Sequence, residues 1–384
     1  MIKAVLLDLD DTLLYNPTSE FVAAYFERLN AYIQRRWQVA DIGDILWDIG
    51  RTLMFGSRDM RTSNLDVTLS ALTACTGHPA QDILDVFNAF YRDDYAAIRA
   101  QTRATPAAAE LIAALKARGY SVVIATNPIY PAEAVRQRLL WAEVAADFDH
   151  YAFVTHAGNT HFAKPQPEYY AEILGRIGVE PDEAIMIGND QRHDIDAARA
   201  AGLHTWHVEV QNLHSVIDQI DVLEAFAITP LTPAMIAPQM RGNIGALYGL
   251  TSTIKPHFWN QHPDPREWSP IQIICHLIDK EVEAFYPRLE RILTQDNPFI
   301  VETLPLGPDD YSPCAVDGQD ALEQFVAARE RTLALIQTFT TNDWQRRARH
   351  SIFGNTTMLE MAHFSAQHDR LHLRQLCQTI GRCQ

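Results

Sequence analysis

The chain has 384 residues, 47% of them hydrophobic, and a net charge of −16. That length exceeds one typical domain, and the apolar share is ample for packed cores. The acidic balance excludes nucleic acid and anionic membrane as main partners, because both select a basic surface. The first apolar run is short and interrupted by Asp8, so no signal peptide is expected, and no apolar stretch nears the roughly 20 residues of a membrane span. Cys75, Cys275, Cys314, Cys377 and Cys383 are dispersed, without a C-x-x-C pair. Each reads as a small core hydrophobe or a surface thiol, and a cytoplasmic location is expected.

In chain order, the first strand is Ala4–Leu9, an apolar run closing on Asp8-Leu-Asp10-Asp11-Thr12. Alternate residues of a strand share a face, so Asp8 and Asp10 point the same way. Two like charges at the end of a buried strand call for a cation, and Mg²⁺ prefers carboxylate oxygen. About a hundred residues precede the next strand, far more than a crossover needs. Their helical patterns, Glu20–Arg36, Ile42–Leu53, Leu65–Thr76 and Gln81–Ile98, read as an inserted cap. Arg51, Arg58 and Arg61 flank Met54-Phe55-Gly56 there; they read first as a solvated cluster and second as contacts for an anionic substrate.

Strands follow at Ser121–Ala125, Tyr151–Thr155, Ala184–Ile187 and Thr205–Val208. Helices at Ala107–Arg118, Pro131–Trp141, Pro167–Ile177 and Asp194–Ala201 alternate with them, with Gly119 and Gly202 at helix C-caps. The alternation predicts an α/β fold with a doubly wound parallel sheet. The second strand ends in Thr126-Asn127-Pro128, which suits a helix cap and equally a phosphate site. Lys164 closes the loop after the third strand. The fourth ends in Gly188-Asn189-Asp190, with Asp194 one turn on; both acids suit a metal or a helix cap.

Asp8-x-Asp10-x-Thr12, Thr126, Lys164 and Gly188-Asn-Asp190-x-x-x-Asp194 together resemble the haloacid dehalogenase superfamily over about residues 1–225. The resemblance implies a Rossmann-like core with a helical cap. It implies that Asp8 is a nucleophile forming an aspartyl-phosphate and Asp10 the acid/base. It implies Mg²⁺ held by Asp8 and the Asp10 backbone carbonyl, with Asp190 nearest the metal and Asp194 either a ligand or one layer behind, and phosphoryl oxygens held by Thr126, Asn127 and Lys164. Many relatives have Gly-Asp where this chain has Gly188-Asn189, which leaves the roles of Asn189, Asp190 and Asp194 divided in more than one way. Family members acting on haloacids lack an aspartate at position 10, so the expected substrate is a small phosphorylated metabolite.

Thr229-Pro-Leu-Thr-Pro233 is a linker by composition. Beyond it no strand runs are expected, only helices at about Ala234–His257, Pro270–Gln295, Gly318–Phe339 and Thr357–Ile380, an all-α four-helix bundle. The expected divisions are a hydrolase domain at 1–228 (core 1–15 and 105–228, cap 16–104), a linker at 229–233 and a bundle at 234–384. His368 and His372 lie four apart on one helix face, and His276 lies inside the second helix. Ser269 and Pro270 start that helix, Gln375 shares the face of His372, and His363 lies off it. Glu281 and Arg288 read first as solvated helix charges and second as pocket lining.

Trp268-Ser-Pro…His276-Leu with His368-Asp-Arg-x-His372-x-x-Gln375-Leu resembles the DinB/YfiT-like four-helix bundle family over about residues 234–380. The resemblance implies a divalent metal on His276, His368 and His372, with Zn²⁺, Ni²⁺ or Fe²⁺ suited to imidazole. It leaves open a metal-dependent thiol transferase or a non-catalytic dimerisation module, and it admits a homodimer.

Overall fold

A computed structural model describes residues 1–37, 39, 41–210, 212–226, 229–302 and 317–383. The chain divides into two compact units, Met1–Ile173 with Pro181–Pro230, and Leu174–Glu180 with Leu231–Gln384. Among the described residues no helix is long and apolar enough to cross a membrane.

The first unit is organised by strand β1 (Ala4–Leu7), whose four residues are all buried. A short strand β2 (Leu14–Tyr15) follows it. The chain then forms helices α1 (Thr18–Gln34), α2 (Ile42–Phe55), α3 (Asn64–Thr76) and α4 (Ala80–Asp93). Strand β3 (Arg103–Ala104) returns antiparallel to β2, with Leu14 opposite Ala104 and Tyr15 opposite Arg103. The two ends of the helical insert are thus tied together at the core. Asp41 and Ser63 cap α2 and α3 through their side chains, and Gly77 ends α3 at φ 75°. The expected helix Gln81–Ile98 stops at Asp93 and continues as a 3₁₀ turn, Tyr95–Gln101. Asp93 and Asp94 place two acids at a helix C-terminus, where the dipole opposes them.

The core continues with α5 (Ala108–Ala117), β4 (Ser121–Ile124), α6 (Ala132–Trp141), β5 (Phe153–Val154) and α7 (Pro167–Ile177). It ends with β6 (Ala184–Gly188), α8 (Ala197–Ala201), β7 (His204–His207) and α9 (His214–Ile217). The five long-range strands form one sheet in the order β5-β4-β1-β6-β7, all parallel. β1 is central: Leu7 lies opposite Ile124 on one side and Ile187 on the other. Gly119 and Gly202 take φ 83° and 100° just past α5 and α8, as their positions at helix ends require. The carboxyl ends of β1, β4, β5 and β6 therefore meet along one edge, where open α/β sheets bind ligands.

The second unit contains α10 (Ile236–Thr251), α11 (Pro270–Lys280), α12 (Tyr286–Thr294), α13 (Gly318–Gln337), α14 (Thr341–Trp344) and α15 (Met358–Cys383). α10 packs on α13 and α15, and α11 on the same two helices, which gives the four-helix arrangement. Ser269 and Gln272 form a full capping box at the start of α11. α11 and α12 are joined by a π turn, Glu281–Phe285. Pro287 explains it: proline cannot donate to the carbonyl four residues back, and a wider turn absorbs the mismatch.

Two expectations are corrected here. The second unit is not free of strands: β8 (Phe299–Ile300), β9 (Arg347–His350) and β10 (Gly354–Thr357) form a small sheet in the order β10-β9-β8. Its signal is hidden by charge, because in Arg-Ala-Arg-His only Ala348 and His350 are buried. Cys275 is disulfide-bonded rather than a thiol. Cys75, Cys377 and Cys383 are free thiols, and Cys314 lies outside the described residues.

Candidate active site and candidate metal centre

β1 delivers Asp8 to the sheet edge, where its backbone N–H donates to the Ile187 carbonyl at 3.0 Å. The Lys164 ammonium is 2% exposed and donates to Asp8 Oδ1 at 2.7 Å and to Asp194 Oδ1 at 2.6 Å. One buried cation thus serves two buried carboxylates. Burial pushes the Asp8 carboxyl up to about 7, Asp194 adds to the rise, and Lys164 opposes it. Burial works against the charged form of Lys164, yet Asp194 and Asp8 hold its affinity for the proton well above the usual lysine range. The pocket carries surplus negative charge on oxygen donors, the chemistry of a hard divalent cation site.

Gly188 makes this arrangement possible. A Cβ at that position would lie 2.3 Å from Asp194 Oδ2. Asp194 Oδ2 instead accepts the Asp190 N–H at 3.0 Å. The Asp190 carboxylate turns to its own helix end, accepting the N–H groups of Arg192 and His193 at 2.8 and 2.7 Å. Hydrogen bonding from His193 holds that carboxyl well below the usual range. Asn189 Oδ1 accepts from the Thr12 hydroxyl at 3.1 Å. The three residues thus occupy different places: Asn189 ties two loops, Asp190 caps, and Asp194 meets Lys164.

Asp10 lies among three donors. Thr126 Oγ1 reaches its Oδ2 at 3.0 Å, Arg138 Nη1 the same oxygen at 2.5 Å, and Asn16 Nδ2 its Oδ1 at 2.7 Å. Thr126 was expected near the phosphate; Arg138 and Asn16 were not singled out from the sequence. Asn16 sits six residues past Asp10 and immediately after β2, so a polar residue leaving that strand is the available signal. Nothing local marks Arg138, on the interior of α6. Asn127 Nδ2 donates to Met54 Sδ at 3.4 Å, and its Oδ1 is buried without a partner among the described residues.

The cap meets this edge through Met54-Phe55-Gly56, and Arg58 reaches the loop that carries Lys164. Gln166 Nε2 donates to the Gly56 carbonyl at 3.0 Å, and Arg192 lies over the Phe55 ring at 4.9 Å. Arg58 is buried and structural, with Nε to the His161 carbonyl and Nη2 to Asn64 Oδ1. Arg61 pairs with Asp59 at 3.3 Å, and Arg51 is exposed.

In the second unit, α11 supplies His276 and α15 supplies His368 and His372. Among the described residues these three form a group whose donor atoms all lie within 4.8 Å of one another. His276 Nε2 and His368 Nε2 are 3.2 Å apart. His372 Nδ1 is engaged by Gln375 Oε1 at 2.8 Å, which leaves its Nε2 for another partner. Burial pushes His276 down to about 3 and His368 to about 2, with neighbouring imidazoles and Lys280 adding to the fall. Trp268 packs against the trio, 4.7 Å from His276 and 5.9 Å from His372 between ring centroids. His363 stands outside the group. Glu281 is buried against Arg329 at 2.7 Å, and Arg329 also holds Asp369 at 2.6 Å, tying α13 to both histidine-bearing segments. Arg288 pairs with Glu302 at 2.7 Å.

Residues 2–202 match the family model described as haloacid dehalogenase-like hydrolase, and residues 239–376 match that of the DinB superfamily. Phosphoserine phosphatase of Thermus thermophilus is 26% identical over 231 residues, covering 54% of this chain and 88% of that protein. Phosphoglycolate phosphatase of Nitrosospira multiformis is 29% identical over 209 residues, covering 54% and 83%. Among solved structures, YfiT from Bacillus subtilis is described as a probable metal-dependent hydrolase with an unusual four-helix bundle topology. It aligns at TM-score 0.33 and 18% identity, over 39% of this chain and 87% of that one.

Proposed function

We propose, for a chain that belongs over residues 2–202 to the haloacid dehalogenase-like hydrolases and over residues 239–376 to the DinB superfamily, that its first unit is a phosphatase of small phosphorylated metabolites. The observation that carries this reading is Lys164 between Asp8 and Asp194, a buried nucleophile candidate with a cation against it. An Asp8 oxygen attacks phosphorus, and the bond from phosphorus to the leaving oxygen breaks. Asp10 gives its proton to that oxygen, leaving an aspartyl-phosphate on Asp8. Water then loses a proton to Asp10 and attacks phosphorus, which frees Asp8 and inorganic phosphate. Thr126, Asn127 and Lys164 orient the phosphoryl oxygens.

The oxygen donor set with its surplus negative charge fits Mg²⁺, which Asp8, the Asp10 carbonyl and Asp194 would hold, with Asp190 nearby. When bound, it supplies positive charge against the phosphoryl oxygens. Asp10 favours phosphoester hydrolysis over halide displacement, since a halide needs no proton to leave. The test is hydrolysis of a metabolite phosphate panel with Mg²⁺ by wild type and Asp8→Asn. Activity lost by at least about a thousandfold supports the reading; equal activity in the two proteins defeats it.

For the second unit, three imidazoles from two helices support a divalent transition metal, Zn²⁺, Ni²⁺ or Fe²⁺, with open coordination positions. Elemental analysis of protein purified without added metal tests this, and a metal-free wild type would count against it.

A further inference from the structure

We propose that Arg138 is the positioning residue of Asp10, fixing which carboxylate oxygen carries the transferred proton; this rests on the phosphatase reading above. Asp10 Oδ2 accepts two hydrogen bonds, from Thr126 and from Arg138, while Oδ1 accepts one, from Asn16. A carboxylate oxygen has two lone-pair sites. Oδ2 is therefore filled, and the open site on Oδ1 is where the proton resides.

Arg138 is built for this contact. Its side chain is 1% exposed on α6, although that of Asp10 is 29% exposed. The guanidinium lies over the Tyr130 ring at 4.7 Å, and its Nε reaches the Ala134 carbonyl at 3.4 Å. Its Nη2 is buried with no partner among the described residues. Burying a guanidinium is costly, and an apolar side chain of like volume serves helix packing better. A helix position used only for packing gives no reason to bear that cost; an ion pair with the acid/base does.

The experiment uses the leaving-group dependence of kcat/KM, measured with Mg²⁺ on 2,4-dinitrophenyl, 4-nitrophenyl and phenyl phosphates. An acid matters only where the leaving oxygen is basic. Arg138→Met should lose about a hundredfold on phenyl phosphate and less than about threefold on dinitrophenyl phosphate, matching the slope of Asp10→Asn. The slope is independent of the fraction of protein correctly folded, because a folding defect lowers all three substrates equally. A parallel loss across the series, or no loss, overturns the proposal while leaving the phosphatase intact. A wild type inert toward all three and toward the metabolite panel overturns both. In metal-free protein, Asp10→Asn should lower the melting temperature less in the Arg138→Met background than alone; fully additive shifts would overturn the pairing.

Discussion

The two candidate sites are built from opposite materials. At the sheet edge, Asp8, Asp10, Thr126, Lys164 and Asp194 come from four separate strand ends and carry compensating charges. In the bundle, three imidazoles come from two helices, held close to neutral by burial. Charge must be balanced partner by partner in a low-dielectric site, so the first site fails when one partner is lost. Neutral ligands bear a smaller desolvation cost, so the second site can persist without its ion. The contrast teaches that the first site is pre-organised by ion pairing and the second by helix packing.

The largest expected effect breaks the second site alone. His368→Ala combined with His372→Ala should abolish bound transition metal, read by elemental analysis, with phosphatase activity of the same preparation unchanged. Metal retained at wild-type stoichiometry would remove the trio as its ligands. Next, Lys164→Met should lower kcat on a phosphate ester by about 10²–10³. It should also destabilise the first unit by about 3–5 kcal/mol in urea, because Asp8 and Asp194 are left facing each other. A stable, fully active variant would show that Lys164 is merely a loop residue.

Gln375→Leu probes how the bundle orients a ligand. Without the bond to His372 Nδ1, metal affinity should fall about 10–100-fold by competition with a chelator, while the melting temperature of the metal-free protein stays close to wild type. A further effect concerns pH. His276, His363 and His368 are pushed down to about 3, 4 and 2, so the folded bundle keeps them neutral where the unfolded chain takes up protons. Stability of the metal-free bundle is therefore full above 6.5 and falls as pH drops below it, by at most about 1.4 kcal/mol per pH unit for each histidine. Urea titrations at pH 7.5 and 5.5, followed by tryptophan fluorescence, check the sign; equal midpoints would contradict it.

Much was legible because it is local. Asp8 and Asp10 announce themselves as acids closing an apolar strand, and His368 and His372 as a pair one helical turn apart. The parallel sheet follows from strand–helix alternation, and the capping of α11 from Ser269-Pro270. The β9–β10 hairpin escaped because β9 exposes arginines and β10 exposes Gly354 and Asn355, so the pair resembles a polar loop. The first reading of the cap arginines as a solvated cluster suits exposed Arg51 and fails for buried Arg58, which composition does not tell apart.

The sequence by itself determined which residue types stand at the strand ends and on the helix faces, since periodicities of two and 3.6 bind each side chain to a direction. Tertiary structure decided the partners. Arg138 lies 128 positions from Asp10 and Lys164 lies 156 from Asp8, yet each pair is in hydrogen-bond contact. No local pattern encodes such a pairing. It arises because β1 is enclosed by β4 and β6, which brings distant loops to one edge and leaves each buried charge to meet the partner that offsets its desolvation.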